Sequence, residues 1–233
     1  MITACPIPGK LKSTHICAAF IEGAPRSAVG FVFYGVNETN LHQYRVAKAS
    51  GQPVYVIDNS AFDCVRGTQF RVTRGRYHHN GVGVSDGSRF KALGIEAQPW
   101  QHRTPDRPSV LAVEQSESYM RSVAGDARWL DVQLGLILSD AVLVRAWNRD
   151  KRAAGATLAE DLARSHLVVT HSSAAAVEAL LAGVAVRVSP MSPCYGIMSR
   201  QQELRQGMFN VLADNQWTIP ELRNGTAWKA LNP

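Results

Sequence analysis

Apolar residues along the chain follow two rhythms, short unbroken runs and runs spaced three or four apart. The alternation is clearest over residues 167–188, LVVTHSSAAAVEALLAGVAVRV. Leu167, Val168 and Val169 form the short apolar run of a strand buried on both faces, and it stops at the small polar turn Thr170, His171, Ser172, Ser173. Residues 174–182 are strong helix formers with Val177, Leu180 and Leu181 on one face; Gly183 is placed to end the helix, and 184–188 return as a strand. The same grammar repeats upstream. Residues 109–113 read as a strand, 127–138 as a helix and 141–144 as a strand, and Thr157 with Glu160 makes a capping box opening a helix that runs to Ser165. The second half is thus β-α-β-α-β-α-β, a Rossmann-like doubly wound α/β unit.

The first half can be read the same way. Residues 14–22 and 29–34 are β-prone runs separated by Gly23, Ala24, Pro25 and Arg26; 41–49 is an amphipathic helix broken by Gly51, Gln52 and Pro53; 54–57 is a strand. Residues 69–83, QFRVTRGRYHHNGVG, predict a β-hairpin closing on an Asn-Gly turn. Residues 98–108, QPWQHRTPDRP, are rich in Pro and polar residues and lack periodicity, which predicts the domain boundary there. The expected organisation is a first domain over 1–107, a second over 108–200, and C-terminal helices over 201–233, including one across 198–212 and a last one across 219–231.

Charge sharpens this division. Residues 1–107 hold 13 Lys and Arg against 7 Asp and Glu, while 108–233 hold 12 against 12, so the whole net charge of +6 belongs to the first half. An anionic partner for that half is one reading, and solubility is the plainer one. No apolar stretch approaches the roughly 20 residues of a membrane span, and the N-terminus lacks a signal-peptide apolar run, so no membrane partner and a cytoplasmic location are expected. Cys5, Cys17, Cys64 and Cys194 are scattered without a C-x-x-C pair, which favours reduced thiols over a zinc site.

Candidate chemistry gathers at the carboxyl ends of the predicted strands, where open α/β sheets bind ligands. In the first half these ends carry Tyr34, Gly35, Asn37, Asp58 and Asn59. Asp58 reads either as a catalytic base or as a turn former. The hairpin adds Arg71, Arg74 and Arg76, interleaved with Phe70 and Tyr77 in a pattern suited to phosphates and unstacked bases, or simply to an amphipathic ribbon with one wet face. His78 and His79 lack metal-ligand spacing and suit a substrate contact or a structural role. In the second half, the loop ahead of 174–182 offers free N–H groups and the Ser172 and Ser173 hydroxyls to a phosphate, with Glu178 one turn further in and able to face a sugar hydroxyl. The alternative is that a serine only caps the helix.

Arg145 and the run TLAEDLARSHLVVTHSSAAAVEALLAGVAVRVSP resemble the donor half of GT-B glycosyltransferases, especially the capsular-polysaccharide Kdo-transferase type and its small phage relatives. GQPVYVIDNSAF followed by RVTRGRYHHNG is similar to the acceptor half of the same group. The resemblance covers roughly residues 30–195. It implies two Rossmann-like domains facing across a cleft, a terminal helix packing back on the first, no obligatory metal, and a nucleotide-linked donor on the second. It also implies roles: His171, Ser172 and Ser173 as diphosphate contacts, Glu178 as a ribose contact, Arg145 as a charge opposite the diphosphate, and Asp58 as the acceptor-side base. The transfer itself needs a base to remove the acceptor's proton, and His78 or His79 could serve in place of Asp58.

Three functions compete on these residues. The first is a glycosyltransferase acting on an anionic acceptor, with a hydroxymethylated base in phage DNA as the best candidate. The second is an amino-acid:DNA transferase that displaces pyrophosphate from a pyrophosphorylated hydroxymethyl base. The third is a non-catalytic nucleotide- or DNA-binding protein. A Ser-His-Asp hydrolase is disfavoured because G-x-S-x-G is absent.

Overall fold

Ile16, Cys17, Ala19 and Phe20 are apolar at helical spacing, and with Ser13 they form the buried face of α1 (Leu11–Glu22). This corrects the strand expected over 14–22. A contiguous apolar run suits either element, and here α1 packs against the first sheet, including the unforeseen strand β1 (Ile2–Cys5). The computed structural model describes residues 1–62, 68–78, 83–102, 104, 106, 108–137, 141–145, 157–197 and 202–233. In these the chain forms two compact units, one comprising Met1–His79 with Asn215–Pro233 and the other Asn80–Asp214.

The first unit continues with β2 (Gly30–Tyr34), α2 (Leu41–Ala49), β3 (Val54–Asn59) and β4 (Gln69–Arg74). Its sheet also includes β9 (Gln216–Thr218), in the order β1-β2-β3-β4-β9. β1, β2 and β3 are parallel, whereas β4 runs antiparallel to both β3 and β9. The hairpin expected over 69–83 is therefore not what β4 makes. Its two edges are taken by β3 and β9, and residues 79–82, including the expected Asn-Gly turn, lie outside the described residues.

The last helix expected over 219–231 is two, α9 (Ile219–Arg223) and α10 (Thr226–Leu231). The break falls at Gly225, whose φ is +80°, and an added Cβ there would lie 2.6 Å from Gly23 O. Gly23, at the end of α1, has equally little room, with 2.0 Å to Leu222 O. Glycines at both positions let the two backbones meet. α9 and α10 add Leu222 and Ala227 to a core of Phe20, Tyr55, Ile57, Phe70 and Val72, with Trp228 against Phe20 and Tyr55 at ring-centroid distances of 5.7 and 5.1 Å.

The second unit begins with α3 (Ser88–Ala92), then β5 (Ser109–Val113), α4 (Glu117–Tyr119) running into a π-helical turn (Met120–Ala124), α5 (Trp129–Gly135), β6 (Val142–Arg145), α6 (Leu158–Ala163), β7 (Ser165–Val169), α7 (Ala175–Leu181), β8 (Ala185–Arg187) and α8 (Gln202–Asp214). Its four strands are all parallel in the order β6-β5-β7-β8, the α/β alternation read from the sequence. Every residue of β5 is buried, as expected of a central parallel strand covered on both faces. The capping box of Thr157 and Glu160 forms as predicted at the start of α6.

The units divide at His79 and Asn80, whereas the sequence places the boundary near 107. Residues 98–101 act as a strap on the second unit rather than as a linker. Gln98 N–H donates to Leu181 O and Gln101 N–H to Gly183 O, at 2.7 and 2.8 Å. The fully buried Arg205 of α8 donates to Leu180 O and Gln98 O, with its guanidinium 4.4 Å from the centre of the Trp100 ring. Phe90 of α3 stacks on Phe209 of α8 at 5.5 Å. A proline-rich stretch without periodicity signals irregular backbone, and here that backbone is held to the second unit by hydrogen bonds at Gln98 and Gln101.

Candidate functional site

The loop after β7 is built by the strands on either side of it. Thr170 N–H donates to Arg187 O and Ser189 N–H to His171 O, at 3.1 and 3.0 Å, so the turn continues the pairing of β7 with β8. His171 and Ser172 are each only 5% exposed. Ser172 donates its backbone N–H to Gln115 Oε1 at 2.8 Å, and its Oγ lies 2.7 Å from Tyr119 Oη and 3.3 Å from Gln115 Oε1. Tyr119 is placed by Ser116, the N-cap of α4, whose hydroxyl accepts from Tyr119 N–H.

His171 completes the network, with Nδ1 3.2 Å from Ser172 Oγ and 3.4 Å from Ser189 Oγ. Tyr119 and Trp129 pack T-shaped against its ring at centroid distances of 6.0 and 5.3 Å. Burial lowers the pKa of His171, partly offset by Asp126, which favours a neutral imidazole at neutral pH.

The two serines separate in role. Ser173 is half-buried, and its Oγ accepts from Ala175 N–H at 3.2 Å, the local bond of a capping serine. Among the described residues, no hydrogen bond uses the N–H of Ser173 or of Ala174. Ser172 is instead an anchor whose polar groups are engaged inside the unit. Glu178 lies half-buried on α7. Arg145, at the carboxyl end of β6, donates to Asp161 Oδ2 at 2.8 Å, and Asp161 also takes Arg164 at 2.9 Å.

Gln115, Tyr119, Trp129 and Ser189 are the residues of this site that sequence reasoning missed. Gln115 carried a usable signal, because it follows β5 at the sheet's carboxyl end. Tyr119 and Trp129 carried none, since only the packing of α4 and α5 brings them to His171.

On the first unit, the register of β3 against β4 sets Asp58 beside Arg71. Arg71 Nη2 donates to Asp58 Oδ2 at 2.8 Å, Tyr77 Oη donates to the same oxygen at 3.0 Å, and Asn59 N–H donates to Oδ1 at 2.7 Å. Arg71 Nη1 also meets His78 Nδ1. Tyr34 Oη donates to Asn59 Oδ1 at 3.0 Å. Burial, with added repulsion from Asp58 and Cys17, raises the Tyr34 pKa and holds its proton in place. Lys12 Nζ stands 5.2 Å from the Phe70 ring centre and 6.0 Å from that of Tyr34.

The remaining expected residues lie elsewhere. Gly35 and Asn37 form the turn into α2: Asn40 Nδ2 donates to Gly35 O, and Asn37 Oδ1 accepts from both the N–H and the hydroxyl of Thr39. Arg74 pairs in register with Tyr55, at the opposite end of β3 from Asp58, and donates to Leu231 O at 3.2 Å. It lines a cavity of about 270 Å³ with Lys48, Gln52 and Gly75, away from the strand ends that carry the candidate chemistry. Arg76 is exposed in the following turn, and His79 lies outside the described residues. The expected set of three arginines is thus divided by strand geometry, and Arg71 alone joins Asp58.

Among the described residues, no group of three or more His, Cys, Asp or Glu could hold a metal ion, and no helix is long and apolar enough to cross a membrane. Cys5, Cys17 and Cys194 are free and buried.

No family model matches the chain, and no curated protein sequence does. Among solved structures it is similar to Thermosulfurimonas dismutans KpsC. A chain described as a beta Kdo 2,7 transferase aligns at TM-score 0.58 and 11% identity, over 98% of this chain and 100% of that one. Another, described as a beta Kdo 2,4 transferase, aligns at TM-score 0.55 and 14% identity, over 90% of this chain and 89% of that one. At such identity the likeness is one of fold: this chain has a glycosyltransferase-like α/β fold.

Proposed function

We propose that the chain is a transferase of the glycosyltransferase kind, with the phosphates of a nucleotide-sugar donor held by the loop after β7 and the acceptor engaged by the first unit. The observation that carries this reading is the separation of roles within that loop. Gln115 and Tyr119 fix Ser172 from inside, while the Ser173 hydroxyl, already accepting from Ala175 N–H, keeps its proton for a ligand, as do the Ser173 and Ala174 N–H groups. Preorganised donors of this kind stabilise the charge that develops on a leaving phosphate. Arg145, at the carboxyl end of β6 and paired with Asp161, is assigned as the charge opposite the diphosphate, and Glu178 is assigned to the ribose.

In the proposed reaction the acceptor oxygen bonds to the sugar's anomeric carbon as the bond from that carbon to the phosphate oxygen breaks. The acceptor's proton passes to a base on the first unit, for which Asp58 is the candidate. That unit holds 11 Lys and Arg against 5 Asp and Glu, and the second holds 14 against 14, which supports an anionic acceptor. A hydroxymethylated base in DNA, the substrate of a phage modification enzyme, fits that requirement. The resident chemistry asks for no cofactor beyond the donor.

Thermal unfolding with nucleotide sugars, free nucleotides and pyrophosphate tests the donor assignment, because ligands of the native site raise the melting temperature. Stabilisation by a nucleotide sugar is expected. Stabilisation by pyrophosphate alone favours the amino-acid:DNA transferase, in which the diphosphate leaves from DNA, and no stabilisation by any of them removes the donor site. DNA affinity should fall steeply between low and physiological salt, and a flat response excludes the nucleic-acid acceptor. Asp58→Asn should abolish turnover with donor binding retained; for a binding protein without chemistry it would change nothing.

A further inference from the structure

Arg71 touches two candidate bases at once. Its Nη2 donates to Asp58 Oδ2, and its Nη1 meets His78 Nδ1. A guanidinium has five N–H donors and no acceptor, and it keeps its proton at physiological pH, so the direction of the second contact is determined: His78 Nδ1 accepts. A ring nitrogen that accepts carries no proton, which leaves the single proton of a neutral imidazole on Nε2.

The surroundings support this arrangement. The Tyr77 ring stands edge-on to His78 at 4.6 Å, with the Arg71 guanidinium carbon 5.5 Å from its centre. The Tyr77 hydroxyl donates to Asp58 Oδ2, joining all four side chains in one set. Protonation of His78 at Nδ1 would point an N–H at a guanidinium N–H, so His78 can gain a second proton only by leaving Arg71. Asp58 is differently placed. A carboxylate offers about four lone-pair sites, and the bonds from Arg71, Tyr77 and Asn59 occupy three, leaving one on Oδ1.

We infer that Arg71 is a positioning residue that locks His78 as the neutral imidazole protonated on Nε2, so that Asp58, and not His78, is the proton acceptor of this cluster. The choice of proton acceptor rests on the transferase reading; the tautomer does not. Asp58 Oδ1 then receives the hydroxyl proton of the acceptor.

Long-range proton–nitrogen correlation spectra of the full chain, labelled with ¹⁵N-histidine at neutral pH, read the tautomer directly. A charge-assisted bond to Nδ1 should favour the Nε2–H form by about tenfold or more. Arg71→Lys keeps a cation beside Asp58 but lacks the planar fork that reaches both partners, and it should return His78 to a tautomer mixture. The His78 signals are identified by their loss in His78→Gln or by sequential assignment of the wild type. The wild-type spectrum decides the matter even if both variants fail to fold. An Nδ1–H tautomer or an imidazolium in the wild type would overturn the inference, as would an unchanged tautomer in folded Arg71→Lys. The measurement uses neither donor nor acceptor, so its failure leaves the transferase reading standing, and a failure of donor binding leaves the tautomer intact.

Discussion

Ser172 and Gln115 lie 57 residues apart in sequence, yet the Ser172 backbone N–H donates to Gln115 Oε1 at 2.8 Å, with the serine hydroxyl 3.3 Å from the same oxygen. This contact ties the loop after β7 to the end of β5. Gln115→Leu keeps the size of the side chain and removes the acceptor, which strands a buried N–H. The expected loss is about 1–3 kcal/mol of unfolding free energy, measured by urea denaturation.

The two serines should respond differently. Ser173→Ala should weaken donor or pyrophosphate binding by about tenfold, the worth of one charge-assisted hydrogen bond, with a change of only about 1 kcal/mol in stability. Ser172→Ala should chiefly destabilise, because its hydroxyl is already engaged with Tyr119. Titration calorimetry and denaturation on both variants separate the effects, and equal loss of affinity in the two would contradict the division of roles.

Gly183 has φ +76°, and a Cβ there would lie 1.9 Å from Pro99 O in the strap. Gly125 has a similar φ of +73° with nothing within 4 Å of the added atom. Gly125→Ala should therefore cost only the left-handed strain, about 1–2 kcal/mol, while Gly183→Ala should cost that plus displacement of the strap. Denaturation of the pair isolates the strap contact, and faster amide exchange at Gln98 and Gln101 in Gly183→Ala would locate it.

Stability should depend on pH through His171. Burial lowers its pKa in the folded protein, so below about pH 6.5 the unfolded chain binds a proton that the folded one resists. This contribution to stability is intact above the ordinary histidine value, declines as pH falls through it, and is fully lost below the folded value. His171→Gln should flatten that part of a stability profile measured from pH 8 to pH 5.

Much of the second unit was legible in the sequence. The apolar runs of β5 and β7, the helical face of Val177 and Leu180, and the capping box of Thr157 and Glu160 are local patterns, and in a parallel sheet covered on both faces local pattern and burial coincide. The carboxyl-end rule likewise marks Asp58 and the loop at His171 from the sequence, because strand direction follows from the alternation of strands and helices.

Only the tertiary structure decided the rest. The apolar run of Ile16, Cys17, Ala19 and Phe20 suits a strand or a helix equally by type, and packing on the first sheet selects the helix. Whether β4 folds back as a hairpin or lies between β3 and β9 depends on a strand more than 140 residues away, Gln216–Thr218. The same holds for the site. Tyr119 and Gln115 reach Ser172, and Arg71 reaches both Asp58 and His78 while Arg74 is carried to the far end of the strand. Backbone periodicity repeats within a few residues and can be read locally; the partner of a buried polar side chain is set by which surfaces close against each other, and that pairing is not encoded in any short stretch of the chain.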